Sequence, residues 1–105
     1  MTDNRRSSAR HDVNLSAYLA VAGAQRACTV VNLSLGGAQV TAQPRLPMGT
    51  RVQISFAVPT LDEKIEIGAT VRWSSEEATG IQFDGLRARD VWALNKFFEQ
   101  LSHSR

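Results

Sequence analysis

The sequence predicts a small, mainly β domain: six short antiparallel strands closed into a barrel, followed by one C-terminal α-helix. Three observations predict it. Apolar and polar residues alternate through most of residues 13–83, the period of a half-buried strand. The gaps between these runs are far shorter than a parallel crossover requires, so neighbouring strands run antiparallel. After Asp84-Gly85 the apolar spacing changes to that of a helix face. A chain of 105 residues suits one domain with a modest core, and no internal repeat divides it.

Val13, Leu15, Ala17, Leu19 and Val21 alternate with mostly polar neighbours, and Gly23 offers the turn that follows. Residues 26–33 are β-branched enough for a second strand, although their alternation is muddled. Ala38, Val40 and Ala42 give a short third strand, after which Pro44, Pro47 and Gly49 punctuate a loop. Val52, Ile54, Phe56 and Val58 form a fourth strand, closed by Pro59. Ile65, Ile67, Ala69, Val71 and Trp73 form the fifth, and this parity groups Trp73 with the core or the barrel rim. Ile81 and Phe83 mark a short sixth, beyond the loop Ser74-Ser75-Glu76-Glu77. Val91, Leu94, Phe98 and Leu101 then line one helix face. Trp92 and Phe97 sit beside that stripe, where ordinary packing is the simplest account and a partner-binding face the alternative. Residues 1–12 carry few apolar groups and read as a flexible basic arm, with residues 13–105 as the barrel and its helix.

Several function classes find no support. His11 has no cysteine or carboxylate at metal-ligand spacing beyond the adjacent Asp12, and His103 lies in the tail, so no metal site is expected. There is no phosphate-cradling glycine loop ahead of a helix and no nucleophile elbow. Asp62-Glu63 and Glu76-Glu77 fall in loops as solvated charge, so no catalytic residue is assigned and the protein reads as a non-enzyme. No apolar run approaches the length of a membrane span, and nothing resembles a targeting segment. Cys28, the single cysteine, reads as a small buried hydrophobe, and a reducing cytoplasm is the simplest home. The net charge is only +2. Its local excess lies in the arm, where Arg5, Arg6 and Arg10 stand against Asp3 and Asp12. That pattern suits one small anionic ligand rather than a length of nucleic acid or a membrane surface.

Two segments carry chemistry. Arg5-Arg6-Ser7-Ser8-Ala9-Arg10 precedes the first strand. A guanidinium fork matches phosphate oxygens and the O6/N7 edge of guanine, and it stacks on bases. Taken alone, the segment reads equally as a solvated basic terminus. Asn32-Leu33-Ser34-Leu35-Gly36-Gly37 joins strands two and three. It is good turn chemistry by itself. It also offers a carbonyl acceptor, a hydroxyl and an unobstructed backbone to a ligand.

Together, Arg6-x-x-x-Arg10 before the first strand and Asn32-x-Ser34-x-x-Gly37 between strands two and three resemble the two signatures of the PilZ family. The segments Ala-Thr-Val-Arg-Trp and Gly80-Ile81-Gln82-Phe83 and the closing helix extend the resemblance over residues 5–101. The resemblance implies a six-stranded PilZ-type barrel that binds cyclic di-GMP and signals through an unidentified effector protein, with motility or biofilm machinery as the usual targets. It implies that Arg6 and Arg10 contact phosphates and guanine faces, and that Asn32 and Ser34 fix a guanine edge. Gly37 would keep the surface open and Trp73 would stack on a base. Asn32 stands where many members have Asp, which removes a charge and keeps an acceptor. Arg5, directly before the motif, implies that the ligand is taken as an intercalated dimer. One alternative is a PilZ-fold adaptor that works through protein contacts without nucleotide. Another is a small single-stranded nucleic-acid-binding barrel, which expects aromatics on a basic strand face that this sequence lacks.

Overall fold

The computed structural model describes residues 10–41, 46–58 and 63–103. The strands form in the expected order: β1 (His11–Val21), β2 (Ala24–Leu33), β3 (Gly37–Thr41), β4 (Arg51–Val58), β5 (Glu63–Ser74) and β6 (Thr79–Phe83). One helix follows, α1 (Ala88–His103). The sheet closes as β1-β2-β3-β6-β5-β4, with every pairing antiparallel. The six-stranded barrel with a C-terminal helix is therefore the fold.

Alternation places the core. Leu15, Ala17 and Leu19 of β1, Val52, Ile54, Phe56 and Val58 of β4, and Ile65, Ile67, Ala69 and Val71 of β5 are all buried. A small barrel has no room for more than its own inward side chains, so these residues fill it. Between β1 and β2, Ala22 and Gly23 both take positive φ, 51° and 85°. That is the two-residue primed turn whose twist suits a hairpin.

α1 covers the barrel with a wider stripe than the sequence suggests. Ala93, Leu94, Phe97 and Phe98 are buried, Val91 and Leu101 only partly, and Trp92 stands exposed. Phe97 thus belongs to the core, and the packing expected of Trp92 does not occur. The helix starts where Asp90, buried in the first turn, accepts from the Arg87 backbone N–H at 3.4 Å and from its Nε at 3.1 Å. A carboxylate reaching back to the preceding N–H satisfies an orphan donor and suits the positive helix end.

β1 begins at His11, so the arm expected to reach residue 12 gives its last two residues to the strand. Each has a reason to be there: the His11 ring stacks on Phe98 at 4.0 Å, and Asp12 accepts from Asn32. Ala42, expected in the third strand, lies outside the described residues.

Three register shifts account for the places where alternation fails. They fall between Asp12 and Leu15 on β1, between Val30 and Asn32 on β2, and between Val71 and Trp73 on β5. An extra residue in one strand reverses the facing of everything beyond it. On β2 the buried set accordingly runs Cys28, Val30, Leu33, the muddle seen in the sequence. On β5 the same effect turns Trp73 out of the core, leaving it 40% exposed.

Candidate functional site

The β2–β3 connection is built around Ser34. Its hydroxyl oxygen accepts from the backbone N–H of Gly36 at 3.1 Å and of Gly37 at 3.2 Å. Its own N–H donates to the Gly37 carbonyl at 2.9 Å. The side chain is buried, so it fastens the turn from inside. The turn is tied to β6 as well, because Phe83 N–H donates to the Gly36 carbonyl at 2.9 Å.

Gly37 pairs with Gln82 across the β3–β6 seam. A Cβ at this position would collide with the Ile81 carbonyl oxygen. Glycine is needed here so that two backbones can approach, a role distinct from the open ligand surface expected of it. At the upstream end of the turn, Asn32 Nδ2 donates to Asp12 Oδ1 at 3.1 Å. A carboxylate only accepts, so the amide nitrogen faces Asp12 and the carbonyl oxygen is turned the other way.

Trp73 faces this turn from β5. Its indole lies over Gly80 of β6, where any Cβ would run into Nε1 and Cε2. The bulge aims the ring outward and the glycine seats it. Arg72, immediately before it, donates from Nη1 to Gln82 Oε1 at 2.8 Å.

These pieces surround one cleft of about 330 Å³, bordered by Arg10, Asn32, Ser34, Gly37 and Trp73. That volume lies at the lower end of the range for small-molecule sites, roughly 300–1,000 Å³. Five of the seven residues singled out in the sequence therefore meet at one place. Arg5 and Arg6 lie outside the described residues. Sequence reasoning missed Arg72 and Gln82, which also line the cleft. The signal for Arg72 was present: two large side chains stand side by side at 72 and 73, where a regular strand would bury one of them.

The other ionisable groups serve the frame. Arg51 donates to both Asp84 oxygens, at 2.7 and 2.6 Å, and to Thr70 Oγ1 at 2.8 Å. The guanidinium hydrogen bond holds the Asp84 carboxyl below its usual range. Burial pushes the Cys28 thiol up to about 11, so it stays protonated and behaves as the small hydrophobe expected. Among the described residues, no three His, Cys, Asp or Glu side chains gather to hold a metal. No helix among them is long and apolar enough to cross a membrane.

The fold recurs in solved structures. The inhibitor of motility MotI/DgrA of Bacillus subtilis superposes with a TM-score of 0.80 at 23% identity, covering 96% of this chain and 54% of its own. The PilZ domain of CeSA from a cellulose-synthesizing bacterium gives 0.69 at 18% identity, over 91% of this chain and 100% of its own. The PlzA protein of Borreliella burgdorferi, solved in complex with c-di-GMP, gives 0.67 at 22% identity, over 86% and 39%. The chain spans about half the length of the motility inhibitor it matches. No curated protein matches the sequence. The family model for the PilZ domain matches residues 4–100, nearly the whole chain. With the barrel, the helix and the two motif segments facing one cleft, the chain belongs to the PilZ domain family.

Proposed function

We propose that this domain is a cytoplasmic cyclic di-GMP receptor that turns over no substrate and signals by presenting its ligand-bound surface to an effector protein. One observation carries the reading. Arg10, Asn32 and Trp73 come from three segments far apart in sequence, and all border the same cleft. Their chemistry matches the parts of the ligand. Arg10 offers a fork to a phosphate. The Asn32 carbonyl oxygen accepts from guanine N–H groups, and the Trp73 indole gives a base a stacking surface. Ser34 and Gly37 serve the ligand indirectly, by holding the turn and the β3–β6 seam in shape.

Arg5 and Arg6 complete the cluster by similarity to the family, so that ligand binding pins residues 1–12 against the Asn32–Gly37 turn. Arg5 further favours an intercalated ligand dimer, which presents more phosphate charge and more guanine edges than a monomer. Saturation titration reads this as two ligands per domain, falling to one in Arg5→Ala. A ratio of one in both proteins refutes the dimer.

The receptor reading is tested by calorimetry with cyclic di-GMP, GTP and a short single-stranded oligonucleotide in parallel. The expected result is binding to the first alone, with the ligand recovered chemically intact. Failure to bind it overturns the reading in favour of a nucleotide-independent adaptor. Equal binding of the oligonucleotide overturns it in favour of a nucleic-acid barrel.

A further inference from the structure

The β5–β6 wall of the cleft holds a cation that neither motif contains. We propose that Arg72, oriented by Gln82, is a phosphate-binding residue of this site, an inference that rests on the cyclic di-GMP reading above.

The bulge sets its position. Register runs Val71 opposite Ile81 and then Trp73 opposite Gly80, so Arg72 is the extra residue of the ladder. Its side chain and that of Trp73 are both exposed, and both line the cleft. The device therefore sets a fork and a stacking surface side by side. Bulges commonly re-aim side chains in this way next to functional sites.

Gln82 sets its direction. Arginine only donates, so the Gln82 amide oxygen must face Arg72 Nη1, the contact seen at 2.8 Å. Gln82 itself is fixed on β6 between Gly37 of β3 and Thr70 of β5. One end of the fork is thus held by a rigid strand, and its other donors are left for a ligand.

Charge completes the argument. Other arginines of the barrel and helix are neutralised by carboxylates, Arg51 by Asp84 and Arg87 by Asp90. The partner of Arg72 is a neutral amide, and the described lining of the cleft includes Arg10 and Arg72 but no carboxylate. A cleft with two guanidinium groups on different walls and no acid between them is matched by an anion with more than one phosphate.

The test compares cyclic di-GMP binding by the unmodified protein, Arg72→Ala, Arg72→Lys, Gln82→Ala and the Arg72→Ala/Gln82→Ala double variant, with Arg10→Ala as reference. Each is titrated at low and high salt, and thermal melting confirms folding. Arg72→Ala should raise Kd by about ten- to a hundredfold, the range for a hydrogen bond to a charged group. It should also flatten the salt dependence. Arg72→Lys should keep that salt dependence without recovering full affinity, because the charge remains and the fork is lost. Gln82→Ala should weaken binding severalfold alone and add nothing on top of Arg72→Ala, the signature of action through Arg72. If Arg72→Ala binds like the unmodified protein while Arg10→Ala is weakened, the inference is overturned and the receptor reading stands. If the unmodified protein fails to bind, both fall.

Discussion

Asn32 shows how one residue's neighbours decide what a family substitution means. Its amide nitrogen is held by Asp12 at 3.1 Å. Asp at position 32 looks benign by sequence, since an acceptor for guanine is retained. In this structure it would set two carboxylates against each other, a pair that resists double ionisation. Asn32→Asp should therefore weaken cyclic di-GMP binding at neutral pH, and adding Asp12→Asn should restore it. Calorimetry on the two variants checks this, and a single variant with native affinity would contradict it. Gly37 carries a similar lesson. Gly37→Asp would force a side chain into the Ile81 carbonyl across the β3–β6 seam, where glycine is needed for close approach. It should lower stability by about 1–3 kcal/mol, the usual range for overpacking. A melting temperature unchanged from the native protein would rule out that steric account. Both positions were legible in the sequence because the motif fixes them. Their contacts were not, since Asp12 and Ile81 become neighbours only through strand pairing.

At the scale of elements, strands with clean alternation were legible almost to the residue. Residues 52–58 and 65–71 fall inside β4 and β5 with the expected sides buried. What alternation could not supply was the bulges, because an extra residue is defined against a partner strand. Trp73 was accordingly grouped with the core, and Arg72 drew no notice. The end of β6 offers a different test. Arg51 of β4 clasps Asp84, which directly follows β6, and reaches Thr70 of β5 on the way. Asp84 titrates below an ordinary aspartate because its charged form is hydrogen-bonded to Arg51. A depressed folded value contributes stability above the unfolded pKa, roughly 4, which is lost as pH falls through the folded value. Asp84→Asn should therefore melt slightly lower than the native protein at pH 7. That difference should close as the pH drops through and below the aspartate range. A gap that stays constant with pH would assign the effect to packing. Both side chains are well exposed, so the effect is small and shrinks in salt.

For the molecule as a whole, the cleft is complete only when the barrel is closed. Its walls come from residue 10, from the β2–β3 turn and from β5 and β6, which adjoin only in the finished ring. An unfolded chain has no such site, so ligand binding and folding draw on the same equilibrium. Cyclic di-GMP should raise the melting temperature progressively with concentration, by about 2.7 kcal/mol of added stability at a hundred times Kd. Arg10→Ala should lose most of that rise without melting lower on its own, because Arg10 is exposed and precedes the first strand. A ligand-independent melting curve would argue against the site. The closed ring also limits how the protein can meet a partner. With β3 bonded to β6 and β1 to β4, each described strand has a neighbour on both sides. A visiting peptide that recognises targets by adding a strand therefore finds no open ladder to join, and two copies cannot stack into a ribbon through spare strand edges. An effector must instead read side chains: those around the occupied cleft, or the face of α1 where Trp92 stands exposed with the Lys96 ammonium 5.9 Å from its ring.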